Sequence, residues 1–494
     1  MRLTLADTVA VRALSQPDHE AIRVLGGTRL TYAECWRRVV GLAETLRGVR
    51  AGPHGKMVGL LLPNDADAVL AYLACQIAGV AAVPINSRLA PPEIKFILED
   101  SGASVLLSAD PFLATEVPDN VHVIDTAQIA TPSAVPRPVL GESGRGAATG
   151  VVGYTSGTTG FPKGAVWSND HWLTHLMRWG WEFGLTAEQV LLVPGPLFHL
   201  SYAGLSLAAL AIGARVDIMP AFEPGPALDE LSERATFAFL VPAMTGMLIE
   251  EWHRRGQPNV STFKFMISSG APGPLSMTKD AMAMFANAHV SEAYGWTEGG
   301  WVTFEVKRPE TLLAHSVGWP TFGNEVQVFG ADGQPAPVGE PGEVGVKALT
   351  HFDGYLGRPD ATDAAWHHGY VMSGDVGIWQ PDGRLTIVDR KKDMIISGGE
   401  NVYTAEVERI LHEHPQVLEA AVVGLPDDRW GERVTAMVVP RERIDPDELA
   451  GFCRERLAGY KVPRQIELRE ELPRNSMGKV QKFRIVELLT EPTS

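Results

Sequence analysis

The chain has 494 residues, of which 45% are hydrophobic and 21% are charged, as expected for a globular protein with two or three domains. Its formal net charge of -16 argues against nucleic acid or an anionic membrane surface as the main partner, because both attract positive charge. The cysteines Cys35, Cys75 and Cys453 are too scattered for a disulfide framework or a metal site, which favours a reducing cytoplasm. The most apolar long run, roughly 202–214, is too short to span a membrane, so we expect no membrane anchor.

The first part of the chain alternates between predicted helices and apolar strands. Thr31 and Glu34 form the pattern of a capping box, and apolar residues at helical spacing follow them, so we predict a helix from about Tyr32. Strand-like and helical segments then alternate in the order 57–62, 65–78, 81–83, 92–100 and 104–107. Alternation of this kind predicts α/β layered sheets.

The α/β pattern continues beyond a connection rich in Pro, Gly, Ser and Ala at 131–150. Short apolar runs predict further strands at 190–193, 216–219, 237–241 and 265–267. From Glu325 the pattern changes to an alternation of period two with Gly/Pro-rich turns. This change predicts a small antiparallel β unit.

A second α/β pattern begins after the charged residues 389–392. It predicts helices at 405–412 and 446–457 and strands at 420–423 and 434–439. We therefore expect a large N-terminal domain of residues 1–390 and a small C-terminal α/β domain of residues 391–494, joined by a charged hinge.

Residues 154–164, with the sequence YTSGTTGFPKG, have the composition of a phosphate-binding loop. Glycines let the backbone approach an anion, consecutive N–H groups can form a concave nest, and short hydroxyl side chains add donors. Lys163 adds positive charge, although the stretch lacks the spacing of the common P-loop. A flexible surface loop is the alternative interpretation of such a composition.

Several further motifs follow along the chain, and each is common on its own in turns or in solvated charge runs. They are Pro196-Leu197-Phe198-His199, Gly270-Ala271-Pro272, Tyr294-Gly295-Trp296-Thr297-Glu298, Ser373-Gly374-Asp375, Asp389-Arg390-Lys391-Lys392, Gly398-Gly399-Glu400-Asn401, Trp430-Gly431-Glu432 and Met477-Gly478-Lys479.

In this order, the motifs resemble those of the adenylate-forming superfamily, which includes acyl-CoA synthetases, aryl-CoA ligases and the adenylation domains of peptide synthetases. The signature [ST]-S-G-[ST]-T-G-x-P-K-G matches from Thr155 to Gly164, and the resemblance covers essentially the whole chain. His199 stands where amino-acid-activating domains usually have Asp, which is similar to acyl- and aryl-CoA synthetases. The resemblance implies an acyl-CoA synthetase that converts a carboxylic acid to acyl-AMP and then to a CoA thioester.

The resemblance also implies a role for each motif. ATP or AMP would be bound by Thr155, Ser156, Gly157, Thr158, Thr159, Gly160, Lys163, Gly270, Ala271, Pro272, Tyr294, Gly295, Asp375 and Arg390. The catalytic residues would be Lys479, His199, Thr297 and Glu298, of which Glu298 would also bind Mg²⁺. Lys479 would neutralise the charge that builds when a carboxylate attacks a phosphate, and Met477 replaces the Ser that the family usually has nearby.

CoA would contact Gly398, Gly399, Glu400 and Gly431, and the C-terminal domain would rotate about Lys392 between the two half-reactions. The acyl pocket would be built from His199, Tyr202, Ala293, Gly299 and Trp301. Because Trp301 and Tyr202 are bulky, we expect a short-chain, medium-chain or aromatic acid instead of a long fatty acid.

Three alternatives remain open at this stage. A stand-alone adenylating enzyme could load the phosphopantetheine of a carrier protein, although the chain has little room for the insertion typical of fatty acyl-AMP ligases. An inactive homologue that serves as a binding protein would be expected to lack Lys479, Glu298 or Asp375, and all three are present. A luciferase-like oxygenase has no motif in its favour. The acid, the acceptor and the choice between a monomer and a homodimer stay open.

Overall fold

The computed structural model describes residues 4–109, 117–133, 149–155, 162–271, 273–397, 400–427, 429–474 and 480–490. Within these ranges the chain forms three β-sheets with helices packed on them, which confirms the predicted α/β layered fold. The helices are α1 (Leu5–Ser15), α2 (Tyr32–Leu46), α3 (Ala66–Ala78), α4 (Pro91–Ser101), α5 (Asn169–Glu182), α6 (Leu200–Ile212), α7 (Pro224–Glu233), α8 (Pro242–Arg254), α9 (Leu275–Met284), α10 (Pro359–Ala364), α11 (Thr404–His412), α12 (Pro446–Arg454) and α13 (Lys482–Thr490).

The strands are numbered in chain order across all three sheets. They are β1 (Glu20–Val24), β2 (Arg29–Thr31), β3 (Met57–Leu61), β4 (Ala81–Pro84), β5 (Val105–Ser108), β6 (His122–Asp125), β7 (Thr149–Thr155), β8 (Lys163–Ser168), β9 (Val190–Val193), β10 (Arg215–Ile218), β11 (Phe237–Leu240), β12 (Phe265–Ser268), β13 (His289–Trp296), β14 (Gly300–Val306), β15 (Ser316–Pro320), β16 (Asn324–Phe329), β17 (Pro341–Ala348), β18 (Gly354–Tyr355), β19 (Trp366–His367), β20 (Tyr370–Trp379), β21 (Leu385–Arg390), β22 (Ile395–Ser397), β23 (Glu400–Val402), β24 (Val417–Asp427), β25 (Gly431–Pro440) and β26 (Gln465–Leu468).

The predicted capping box forms at the start of α2. The Thr31 hydroxyl accepts the Glu34 N–H at 3.3 Å, and the Glu34 carboxylate accepts the Thr31 N–H at 2.8 Å. These two bonds satisfy donors that the first turn of a helix leaves unpaired. The helix therefore begins at Tyr32, as the sequence predicts.

A seven-stranded sheet carries both ends of the predicted phosphate loop. Its strand order is β18-β8-β7-β4-β3-β5-β6, and strands β4, β3, β5 and β6 run parallel. The strands β3, β4 and β5 are buried along their whole length, in keeping with their continuous apolar sequences. In the sequence, the loop connects the antiparallel strands β7 and β8.

A fourteen-stranded sheet carries most of the other motifs, and its strands β10, β9, β11, β12 and β13 run parallel. The antiparallel unit predicted after Glu325 is present as β16, β17, β20 and β21. It is hydrogen-bonded to the parallel part through the pairs β14–β15 and β15–β21. The unit therefore extends the large sheet and is not a separate one.

The C-terminal residues form a third sheet of β23, β22, β25, β24 and β26, with apolar clusters of its own. Its helix α11 contacts the large sheet through Asp389, whose carboxylate accepts hydrogen bonds from the backbone N–H and the hydroxyl of Thr404. The exact domain boundary after residue 390 stays a prediction.

The three cysteines are unpaired and buried. No helix in the described part of the chain is long and apolar enough to cross a membrane.

Candidate active site

The two ends of the predicted phosphate loop lie side by side. Thr155 ends β7, Lys163 begins β8, and the two residues are directly opposite each other in the antiparallel pair. The loop residues Ser156, Gly157, Thr158, Thr159 and Gly160 lie outside the described residues. The strand pairing thus fixes the positions of the two residues that flank the loop, Thr155 and Lys163.

The turn that carries Thr297 and Glu298 packs against these same strands. The Trp167 indole N–H donates to the Thr297 carbonyl at 3.0 Å, and the Phe352 N–H donates to the Glu298 carbonyl at 2.9 Å. A Cβ built on Gly153 in β7 would lie 3.5 Å from Thr297 Cγ2, which is van der Waals contact distance, so the turn packs directly on this strand. The structure thereby brings the Tyr-Gly-Trp-Thr-Glu motif to the base of the phosphate loop.

The Glu298 carboxylate is held by two hydroxyl groups. Its Oε1 atom accepts a hydrogen bond of 2.7 Å from Tyr355 and one of 3.4 Å from Thr155. Burial and the neighbouring Glu298 raise the pKa of Tyr355 well above its ordinary value, so the phenol stays a donor at neutral pH. Lys163 Nζ lies 5.2 Å from the centre of the Tyr355 ring. Tyr355 was missed in the sequence, because only its pairing beside β8 reveals its position.

Three residues predicted for the nucleoside meet at one place. The Tyr294 hydroxyl donates to Asp375 Oδ2 at 2.7 Å, and Arg390 Nε lies 3.1 Å from Asp375 Oδ1. Asp375 and Arg390 are directly opposite each other in β20 and β21, which sets this contact by strand register. Burial and Asp375 raise the pKa of Tyr294 well above its ordinary value, so the phenol remains neutral.

The glycine loop predicted for adenine lies at the same sheet edge. Strands β12 and β13 are parallel, with Ser268 opposite Glu292, so Gly270 and Tyr294 follow at equal distances along the two strands. Gly270 has φ of +92°, in the left-handed region that favours glycine. Ala271 is partly buried, and Pro272 lies outside the described residues. Gly295 is also required, because a Cβ there would lie 2.0 Å from the Gly300 carbonyl oxygen.

An unbroken row of aromatic rings lies where the acyl pocket is predicted. The Tyr202 ring centre is 4.6 Å from Phe239, the Phe239 ring centre is 5.9 Å from Trp301, and Trp301 stacks on Trp179 at 4.1 Å. We call these four residues the aromatic wall. Tyr202 and Trp301 were predicted for the pocket, whereas Phe239 and Trp179 were missed because no local motif marks them.

The other residues predicted for the pocket are close in sequence to Tyr202 or Trp301 of this wall. His199 directly precedes α6, and the next residue, Leu200, packs on Gly153, where a Cβ would lie 2.7 Å from Leu200 Cδ1. Ala293 is buried in β13, and Gly299 lies against Trp296, where a Cβ would be 2.7 Å from the indole ring. Leu200 therefore brings the start of α6 to the strand that leads into the phosphate loop.

A buried histidine supports Trp301 from behind. His175 Nε2 accepts a hydrogen bond of 3.4 Å from the backbone N–H of Trp301, and His175 Nδ1 lies 3.1 Å from the Thr350 hydroxyl. Burial and the nearby Arg178 lower the pKa of His175 well below its ordinary value, which keeps the ring neutral. Gly300 makes room for it, because a Cβ there would lie 2.1 Å from His175 Cε1.

The residues predicted for the hinge and for CoA lie on the C-terminal side of β21. Lys392 is exposed in the turn between β21 and β22, and Glu400 is exposed at the start of β23. Gly431 is opposite Ser397, which places it beside the predicted CoA segment. Gly398, Gly399 and Lys479 lie outside the described residues.

Glu298 suits a Mg²⁺ ion that is held mostly by the nucleotide. Within the described ranges, no group of three or more His, Cys, Asp and Glu side chains could hold a metal by itself. Mg²⁺ typically takes one or two protein carboxylates and completes its shell with water and substrate phosphates. A single carboxylate beside the phosphate loop fits that chemistry.

Comparison with known proteins shows the family. The profile described as "AMP-binding enzyme" matches residues 9–356, and that described as "AMP-binding enzyme C-terminal domain" matches residues 406–479. A feruloyl-CoA synthase of Amycolatopsis sp is 37% identical over 95% of this chain and 96% of its own length. A long-chain-fatty-acid–CoA ligase of Mycobacterium tuberculosis is 34% identical over 92% of each chain. The structure of o-succinylbenzoate CoA synthetase from Bacillus subtilis with its acyl-adenylate intermediate aligns with a TM-score of 0.86 and 30% identity over 97% of each chain.

The fold and the site thus define an adenylate-forming enzyme, and the chain belongs to the AMP-binding enzyme family. Within this family it is an AMP-forming acyl-CoA synthetase, which activates a carboxylic acid with ATP and transfers the acyl group to CoA. The predicted superfamily, the acid–thiol ligase activity and the substrates ATP and CoA are confirmed. The roles of individual residues and the requirement for Mg²⁺ stay predictions.

The lowered pKa of His175 predicts an acid-sensitive contribution to stability. In the unfolded chain a histidine takes up a proton below about pH 6.5, whereas buried His175 resists it, so its contribution is lost as pH falls. We expect the difference in unfolding free energy between wild type and His175→Gln to shrink from pH 7 to pH 5. The change is at most about 1.4 kcal/mol per pH unit and is measured by urea titration. His19→Gln, at an exposed position, is the matched control. A pH-independent difference for His175→Gln would contradict the prediction.

Proposed function

We propose that this synthetase activates an aromatic acid or a short- to medium-chain acid, and that the aromatic wall sets this preference. Tyr202 and Trp301 are only 2% and 5% exposed, so the pocket would end at rings that are already packed. A planar acid could pack against such rings in the edge or offset geometry that aromatic groups prefer. A long acyl chain would have to displace Trp301 from its stack with Trp179.

The relatives support this assignment unequally. The Amycolatopsis enzyme is named for a feruloyl group, which is aromatic, and it has 37% identity to this chain. The Mycobacterium enzyme, at 34% identity, is named for long-chain fatty acids. Because these identities are close, the aromatic wall carries the proposal, and a long-chain acid is the alternative that the experiment must exclude.

In the first half-reaction, we assign Thr155, Lys163 and the loop between them to the phosphates. Thr297 would contact the α-phosphate, and Glu298 would offer a carboxylate oxygen beside it. Bound Mg²⁺ would neutralise phosphate charge and orient the leaving pyrophosphate. Asp375 and Arg390 would hold the ribose, and Lys479 would neutralise the charge that forms as the acid attacks.

In the second half-reaction, we assign Gly398, Gly399, Glu400 and Gly431 to the path of CoA. These residues and Lys479 belong to the same C-terminal domain, and one domain orientation cannot easily present both to one acyl group. A rotation about Lys392 between the half-reactions would solve this conflict. A carrier-protein phosphopantetheine ends in the same thiol, so the experiment on Lys479 also tests for a carrier protein as an acceptor.

The proposed chemistry predicts which reactions depend on Lys479. With ATP, Mg²⁺ and a panel of aliphatic, aromatic and amino acids, we expect acid-dependent pyrophosphate release, and a thioester only after CoA is added. Lys479→Ala should lower this release by about 100-fold or more, as for the loss of a charge that stabilises a transition state. Lys279→Ala, at an exposed position distant in sequence from Lys479, is the control. Acyl-AMP that accumulates despite CoA would favour a carrier protein, and no release with any acid would favour an inactive homologue.

The aromatic wall predicts a change of specificity in Trp301→Ala. Removal of the ring should raise kcat/KM for dodecanoate relative to benzoate by about 10-fold or more, since even one methylene changes binding in an apolar pocket measurably. Trp319→Ala, with a side chain that is 45% exposed, controls for the loss of a tryptophan. If wild type converted palmitate better than benzoate and octanoate, the proposed substrate class would be wrong.

The hinge assignment predicts a selective effect of Lys392→Pro. Proline fixes φ near −65° and would hinder rotation at this turn, whereas Lys392→Ala leaves the backbone free. We expect Lys392→Pro to form thioester from supplied acyl-AMP and CoA at least about 10-fold more slowly than Lys392→Ala. Adenylation should survive in both variants and serves as the control for folding. Wild-type thioester formation by Lys392→Pro would refute the hinge.

A further inference from the structure

The segment from Phe352 to Leu356 lies across the base of the phosphate loop. The Asp353 N–H donates to the Val166 carbonyl at 2.7 Å, and the Leu356 N–H donates to the Gly164 carbonyl at 2.8 Å. Between them, Tyr355 is opposite Ala165 in the β18–β8 pair. Backbone hydrogen bonds on both sides of Tyr355 thus fix its Cα beside the strand that begins at Lys163.

The side chain of Tyr355 contacts groups from two separate motifs. Its hydroxyl donates to Glu298 Oε1 at 2.7 Å, and its ring face lies 5.2 Å from Lys163 Nζ. The Tyr355 N–H also donates to the Thr362 hydroxyl at 2.8 Å, which limits movement of the residue further. One side chain therefore connects the predicted metal carboxylate with the predicted phosphate lysine.

The two carboxylate oxygens of Glu298 differ in their contacts. Tyr355 and Thr155 both donate to Oε1, and within the part of the chain that the structure describes no donor reaches Oε2. A hydrogen bond to a charged carboxylate is short and strong, so the Tyr355 contact restricts the rotation of the carboxylate. Oε2 is thereby left as the oxygen that can bind a cation.

We propose that Tyr355 is a positioning residue that holds Glu298 Oε1 so that Oε2 can bind the Mg²⁺ of Mg·ATP. The proposal rests on the proposed role of Glu298 in the function above. Tyr355 acts through Glu298 and need not touch the nucleotide. Partners of this kind, which orient a metal ligand, commonly change metal affinity by roughly 10- to 100-fold when they are removed.

Tyr355→Phe tests the proposal, because it removes the hydroxyl and keeps the ring beside Lys163. Isothermal titration with ATP, in the presence and absence of Mg²⁺, measures how much Mg²⁺ improves ATP affinity. We expect this improvement to fall by roughly 10- to 100-fold, with the affinity for metal-free ATP unchanged. The Mg²⁺ concentration for half-maximal adenylation should rise, whereas thioester formation from supplied acyl-AMP should stay at the wild-type rate.

Tyr370→Phe is the matched control. Its hydroxyl also donates to a carboxylate, that of Glu325, but at an exposed place on the antiparallel extension. This variant should leave both ATP titrations unchanged.

Two results would overturn the role of Tyr355. One is a Mg²⁺-dependent improvement equal to that of wild type, and the other is an equal loss of ATP affinity with and without Mg²⁺, which indicates a general structural role. A failure of the proposed function has a different signature. Wild type would then release no pyrophosphate with any acid, while the two ATP titrations of wild type and Tyr355→Phe could still be compared.

Discussion

Glu298 lies where the two large sheets meet, and its carboxylate links them. The residue follows β13 of the fourteen-stranded sheet, whereas its two hydroxyl donors, Thr155 and Tyr355, belong to β7 and β18 of the seven-stranded sheet. The backbone adds to this link, because the Glu298 carbonyl accepts the Phe352 N–H. The position of the predicted metal ligand relative to the phosphate loop therefore depends on how these two sheets pack. A change in that packing would separate two motifs that are both predicted to contact the nucleotide.

The predicted nucleoside end of the site differs, because its residues all come from the fourteen-stranded sheet. The antiparallel extension places Asp375 opposite Arg390, and the Tyr294 hydroxyl reaches the same carboxylate from β13. Asp375 is only 5% exposed, so its charge needs the guanidinium partner that the strand register supplies. In a chain with a net charge of -16, Lys163 and Arg390 would provide the local positive charge that an anionic nucleotide requires.

The elements that local sequence determines were predicted well. The strand at 190–193 has the predicted bounds, and α2 begins at its capping box, because short apolar runs and caps act over a few residues. The joining of the antiparallel unit to the large sheet was not predicted, since strand register depends on partners far apart in sequence. Tyr355 and Trp179 are not predicted from the sequence for the same reason. Their contacts with Glu298 and Trp301 span 57 and 122 positions, respectively, and no local pattern signals them.

The aromatic wall differs from the nucleotide site in the kind of selectivity it can provide. The ring of Trp301 stacks on Trp179, and the backbone N–H of Trp301 donates a hydrogen bond to neutral His175. Its carbonyl also accepts a hydrogen bond of 3.0 Å from the Asn324 side chain, so the backbone is fixed on both polar groups. The ring itself also lies 4.7 Å from Phe183 and 5.9 Å from Phe239, so it cannot move aside without the loss of several packing contacts at once. The wall would thus select acids by excluding length, and exclusion by packed rings discriminates less sharply than hydrogen bonds to a polar substrate group. This chain would therefore accept several acids of similar size instead of a single one.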